Sequence, residues 1–240
     1  MSLSKNQLKL ITSLQQKKYR TVHNLFVAEG TKVVNEFLNS NFELEQLFCV
    51  DTSKYKDIQK IIQISEGELK KISVLKTPNN VLGLFKIPSI SPLKNEGLIL
   101  VLDEINDPGN LGTIIRLCDW FGVTQLVCSL KTVDCYNSKV VQASMGSLTR
   151  VSIIYTDLEL YLENTNLPKY ASLMNGENVY QSVLPKNAIL VMGNEANGIS
   201  DSILKYLTKS ITIPRFGELQ QTESLNVATA AAILLSEFKR

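Results

Sequence analysis

The chain has 240 residues, 44% of them hydrophobic and 20% charged, with a net charge of +2. That length allows one large or two modest domains, each with its own core, and the balance excludes a long disordered chain. Cys49, Cys118, Cys128 and Cys135 form no CxxC pair and no histidine gathers near them, which argues for reduced thiols and no metal. The opening MSLSKNQLKLITSLQQKKYR lacks the apolar core of a signal peptide, and no apolar run approaches the ~20 residues of a membrane span, so a cytoplasmic protein without a membrane partner is expected. Lys5, Lys9, Lys17, Lys18 and Arg20 all precede the first acid, Glu29. A basic segment of this kind suits a polyanion such as RNA, and a solvated helix face accounts for the same residues.

Leu8, Ile11 and Leu14 predict a helix over residues 5–17. LFVAEG follows as a strand, TKVVNEFLNS as a helix, LEQLFCVD as a strand, then more helical pattern and the strand VLGLFKIP. This α/β unit ends near Pro88, and IPSISPLKNEG, with two prolines and a glycine, reads as a linker. Beyond it GLILVLDEI, QLVCSL, YASLM, AILVMG and KSITIP predict buried strands. Helical stretches around 111–121, 138–145 and 200–206 alternate with them, and NVATAAAILLSEFKR closes the chain as an Ala-rich helix. Such alternation predicts a doubly wound parallel sheet with its binding loops at the strand carboxyl ends.

Three of those loops carry more than punctuation. In NDPGNLGTIIR, Pro108 and Gly109 predict a turn, Asn110 a cap and Gly112 a close backbone approach, while Arg116 sits among apolar neighbours. In VMGNEANGIS, Gly193 follows a buried strand directly and Glu195 stands among turn-forming residues. In ITIPRFGELQQTESLNVATAAA, Ile213-Pro214 ends a strand, and Ser224, Leu225 and Asn226 stand at a helix start, where free N–H groups can hold a ligand. Each loop alone is explained by turns and caps.

Taken in order, N-x-G-x-x-x-R, G-x-E-x-x-G-I and I-P followed by S-L-N-V resemble the SpoU/TrmH family of RNA 2′-O-ribose methyltransferases. The resemblance spans roughly residues 97–240, and YNSKVVQASMGSLTRV adds to it. It implies an α/β chain in which a trefoil-knotted parallel-sheet methyltransferase domain, residues 97–240, follows a small ribosomal-protein-like RNA substrate-binding domain, residues 1–90. General folding rules would not have led to a knot. The family likeness also implies S-adenosylmethionine as cofactor, a homodimer, and ribosomal RNA as substrate, with transfer RNA second.

Carried over by position, Arg116 is the implied catalytic residue, with Asn110, Ser224 and Asn226 beside it and Glu195 orienting the arginine. Gly193, Ile213 and Leu225 match positions whose backbone meets the cofactor, so a bulky residue at 193 is expected to block that pocket and spare the fold. Ala228 stands where a serine is common, and the stretch GELQQTE is longer than in many relatives. No base is evident: His23, the only histidine, lies outside the second domain, and guanidinium groups keep their proton in proteins. Arg116 is therefore read as stabilising the developing alkoxide, with transient proton acceptance left open. A fragment from Gly97 is expected to be self-contained. The competing reading is a non-catalytic RNA-binding protein that keeps this fold.

Overall fold

In the computed structural model, which describes residues 3–89, 92–217 and 224–240, a capping box at Ser4 and Gln7 starts the first helix. The first elements are α1 (Lys5–Ser13), α2 (Lys17–His23), β1 (Leu25–Glu29), α3 (Thr31–Leu38), β2 (Leu44–Cys49), β3 (Ile61–Gln63), α4 (Glu66–Ile72) and β4 (Val81–Lys86). After them come β5 (Leu98–Leu102), α5 (Pro108–Trp120), β6 (Gln125–Ser129), α6 (Ser138–Ser144), β7 (Ser152–Thr156) and α7 (Leu158–Glu163). The chain ends with β8 (Lys169–Asn178), β9 (Ala188–Met192), α8 (Asp201–Leu204), β10 (Lys209–Thr212) and α9 (Val227–Lys239). Packing gathers these into two units, residues 1–89 with 134–149, and residues 90–133 with 150–240.

The first unit is built on a four-stranded sheet, ordered β1-β4-β2-β3 and antiparallel except where β2 meets β3. Alternation along the strands sorts their side chains onto two faces. On one, Leu25, Val27, Phe48, Leu82 and Leu84 pack with Ile11, Leu14, Leu69 and Ile72. On the other, Phe26 and Phe85 each stand 5.2 Å, centroid to centroid, from Phe37 of α3. Tyr136 joins them, 4.8 Å from Phe26. Residues 134–149 thus complete this core, although a helix between β6 and β7 reads in the sequence as an ordinary crossover. The second stretch of chain is not the self-contained piece expected from residue 97 onward.

The helix expected over residues 5–17 stops at Ser13, and a second one begins at Lys17. Arg20 is the reason: its Nη1 donates to the carbonyl oxygens of Leu14 (2.8 Å) and Gln15 (3.0 Å), acceptors that a helix end leaves open. Its Nε and Nη2 donate to Asp134 Oδ2 at 2.8 and 2.5 Å. With 3% of its surface exposed, Arg20 is a buried structural ion and not the RNA contact expected of it. Lys5, Lys9, Lys17 and Lys18 do stay on the surface.

The second unit is a six-stranded, wholly parallel sheet in the order β10-β8-β9-β5-β6-β7. Ile99, Val101, Ile189 and Val191 face Leu158, Leu162 and Ile203 from α7 and α8. Alternate residues point the opposite way, where Tyr170 meets Phe238 of α9 edge-on at 5.5 Å. Cover on both faces explains why β5 and β9 are uninterrupted apolar runs. β7 and α7 were not foreseen: only Ile154 of β7 is buried, as suits an edge strand, and α7 has six residues. Helices α5 and α9 run side by side in the same direction. Asn226 at the start of α9 bonds Asn110 in the first turn of α5, and Lys239 at its end donates to Gly122 O beyond α5 (3.4 Å).

One irregularity shapes the site. Ser210 of β10 pairs with Ala171 of β8, but the next residue, Ile211, pairs with Glu177, leaving residues 172–176 to bulge out of the ladder. Gly176 makes the return possible, since a Cβ there would lie 2.6 Å from the carbonyl carbon of Ile211.

Candidate active site

Strands β5 and β9 are neighbours at the middle of the sheet. From β5 the chain builds toward β7, and it later returns to build on the other side, so their carboxyl ends mark the switch point where open α/β sheets bind ligands. The first two motif loops leave from these two ends.

In the first loop, Pro108 and Gly109 are not a turn but the opening of α5. Asp107 is the N-cap, its Oδ1 accepting from the Asn110 backbone N–H (2.8 Å), and Pro108 takes the first position, where no donor is required. Asn110 is therefore free of capping, and its Nδ2 donates to Glu195 Oε1 at 2.6 Å. Asn226 does cap, its Oδ1 accepting from the N–H groups of Ala228 (3.0 Å) and Thr229 (3.2 Å). Its Nδ2 donates to Asn110 Oδ1 (2.9 Å) and to Glu195 Oε1 (3.0 Å), and the Val227 N–H points to the same carboxylate oxygen at 3.4 Å. Glu195 thus places a negative charge where two parallel helix N-termini meet, which their dipoles favour.

Among the described residues the carboxylate makes no hydrogen bond or ion pair with Arg116. That residue lies on the exposed side of α5 and, among the described residues, makes no hydrogen bond or ion pair. Helix geometry explains the separation: six residues beyond Asn110 is about 9 Å along the axis and a third of a turn round.

Two residues passed over in the sequence hold the second loop. Asn194 donates from Nδ2 to Glu104 O (2.7 Å), and its backbone exchanges hydrogen bonds with Gly198 at 2.9 and 2.8 Å. The buried Asp103 carboxylate accepts from both the N–H (2.8 Å) and the Oγ (2.7 Å) of Ser200. The signal for Asp103 was present, since an acid at the end of a fully buried strand must find donors.

Gly193, Glu195, Ile213, Ser224 and Leu225 all border one cavity of about 950 Å³, which the bulged residues of β8 and the start of α9 also line. Gly193 is tighter than expected. A Cβ would lie 2.1 Å from the carbonyl carbon of Gly198 and 2.2 Å from Ile199 N, so a side chain here strikes its own loop and cannot spare the fold. Of the stretch GELQQTE, residues 218–223 lie outside the described residues. Cys118, buried on α5, has its thiol pushed up to about 12 by burial and offers no nucleophile.

A family model described as the SpoU rRNA Methylase family matches residues 97–236, and one described as an MRM3-like substrate binding domain matches residues 5–83. The 23S rRNA (guanosine(2553)-2′-O)-methyltransferase RlmP of Bacillus subtilis is 30% identical, over 97% of this chain and 96% of that one. A putative RNA methyltransferase of the TrmH family from Porphyromonas gingivalis superposes with a TM-score of 0.90 at 36% identity, covering 98% of each chain. An AdoMet-bound rRNA methyltransferase from Sinorhizobium meliloti superposes at 0.89 with 26% identity, over 100% of this chain and 97% of that one.

Proposed function

We propose, since this chain belongs to the SpoU rRNA Methylase family and is an S-adenosylmethionine-dependent RNA 2′-O-ribose methyltransferase, that its substrate is a ribose of large-subunit ribosomal RNA. Transfer RNA is the second candidate. The observation that carries the assignment to these residues is the Asn110–Glu195–Asn226 cluster beside a cavity bordered by Gly193, Ile213 and Leu225.

The cavity fits the cofactor. Its volume is at the upper end of small-molecule sites, with apolar Ile213, Leu225 and Val227 for a purine and polar groups at its edge. When bound, S-adenosylmethionine supplies a methyl group made electrophilic by its sulfonium. Arg116, exposed and unpaired among the described residues, holds the neighbouring phosphate and stabilises the charge that grows on the 2′ oxygen. The hydroxyl proton passes to solvent as the new O–C bond would form and the methyl–sulfur bond break, its electron pair leaving with a neutral thioether, because the guanidinium keeps its own proton. Asn110 and Asn226, locked by Glu195, align the ribose with Ser224 at the cavity edge, and alignment supplies much of the rate.

Lys5, Lys9, Lys17 and Lys18 contribute salt-sensitive RNA affinity from the first unit. A homodimer belongs to the same reading, supported by the exposed stripe of α5 in which Arg116 is followed one turn later by Trp120, 84% exposed. So do the trefoil knot and a cytoplasmic location beside the ribosome. Among the described residues no helix is long and apolar enough to cross a membrane.

The test supplies the full-length protein with methyl-labelled cofactor and in-vitro-transcribed large-subunit ribosomal RNA or transfer RNA. Label is expected in dinucleotides that resist alkali, because a 2′-O-methyl group blocks cleavage of the next phosphodiester. Binding of cofactor and RNA without transfer would instead mark a non-catalytic RNA-binding protein.

A further inference from the structure

Beside the same cavity stands a pair of aromatic rings, one of them on its wall, with no part in the cluster just described. Phe216 borders the cavity and is 83% exposed, and Tyr180 is 39% exposed. Their centroids are 6.4 Å apart, with ring planes at 31°. A single exposed aromatic is ordinary on a protein surface. Two that pair with each other and leave ring faces in water, at the mouth of a binding site, are not.

The backbone of Tyr180 is held. Tyr180 lies in a short 3-10 turn, Val179–Gln181, whose first residue is fully buried. Asn178 fixes that turn, its Oδ1 accepting from the Tyr180 N–H (3.0 Å) and its backbone oxygen from Ser182 Oγ (2.9 Å). Phe216 comes two residues after Pro214, where the third motif leaves β10.

We infer that Tyr180 and Phe216 form a stacking platform for a nucleobase of the substrate RNA, next to the ribose being methylated. This rests on the methyltransferase reading above. Phe216 borders the cavity and Tyr180 does not, so the pair reaches from the cavity wall to the surface beyond it. The substrate must bring its ribose to this opening, which carries the adjoining bases past the rim. Bases splayed from a single-stranded segment stack on aromatic side chains whatever their sequence, since every base has a π-face. The platform fixes the nucleotide's position and leaves methyl transfer to the cluster around Glu195.

The experiment uses the full-length protein with unmodified, in-vitro-transcribed large-subunit ribosomal RNA or transfer RNA, whichever the unaltered protein methylates. Phe216→Ala and Tyr180→Ala should each raise KM for RNA roughly 5- to 100-fold. In Tyr180→Ala, whose ring lies off the cavity wall, the kcat at saturating RNA and the affinity for S-adenosylmethionine by calorimetry should stay as they were, and Phe216→Trp should keep the KM of the unaltered protein. An unchanged KM in both alanine variants overturns the platform and leaves the methyltransferase standing. A matching loss of cofactor affinity would make the rings a lid on the cofactor, and a changed oligomeric state would make them a protein interface. Either result refutes base stacking. If the unaltered protein methylates neither RNA, the methyltransferase reading falls first and the platform with it.

Discussion

Arg116 and Glu195 are separated in the structure, and their substitutions should behave differently. Arg116→Ala should lower methyl transfer by roughly 100- to 1,000-fold with cofactor affinity unchanged, since one charge-stabilising donor is lost and the cavity is untouched. Calorimetry and single-turnover rates check this, and an active Arg116→Ala enzyme would remove the arginine from the mechanism. Gly193→Ala should cost both cofactor affinity and thermal stability. The added carbon overlaps the backbone of residues 198 and 199, so the loop that presents Glu195 has to move. Retained stability and binding would mean that the loop yields easily. At this scale motif spacing singles out Asn110, Glu195 and Asn226, which the fold gathers into one hydrogen-bonded cluster. It does not name their partners. That Glu195 serves two asparagines depends on which helix each residue caps, and Asp107 takes the cap that Asn110 was expected to make.

Among the elements, α2 is held by charge as well as by packing. Arg20 and Asp134 are 3% and 14% exposed, and removing one partner strands the other. Arg20→Ala should therefore destabilise the protein by about 3–5 kcal/mol. Replacing Lys5, Lys9, Lys17 and Lys18 together should leave the melting temperature nearly unchanged and weaken RNA binding, more so at low salt. Thermal melts and filter binding at two salt concentrations check the pair of outcomes. Equal RNA affinity in the four-lysine variant would return those residues to a plain solvated face. In the sequence all five cations look alike, since burial depends on a carboxylate 114 residues away. The strands were legible for the opposite reason: β5 and β9 are apolar from end to end because both faces are covered. β7 lies at the sheet edge with one buried residue, and that pattern does not stand out.

For the whole molecule, a fragment beginning at Gly97 would carry residues 134–149 without Phe26, Arg20 or the rest of the first core. It should melt well below the full chain and bind a hydrophobic dye through α6, whose Val140 and Val141 are buried in the intact protein. Equal melting and no dye binding would show that the segment finds cover within the second unit. RNA affinity lost by such a fragment therefore cannot be ascribed to the missing lysines alone. The two units could be anticipated from the Pro-rich stretch after Lys86, but the return of the chain at residue 134 leaves no mark in composition. This return also sets an order in time. As the polypeptide emerges from the ribosome, the first 89 residues must wait for residues 134–149 before Arg20 finds its counter-ion and Phe26 its last ring. Domains usually fold one after another as they are synthesised, amino end first. Here the earlier-made unit is completed only after β5, α5 and β6 have been made, so its core stays unfinished while residues 90–133 are added.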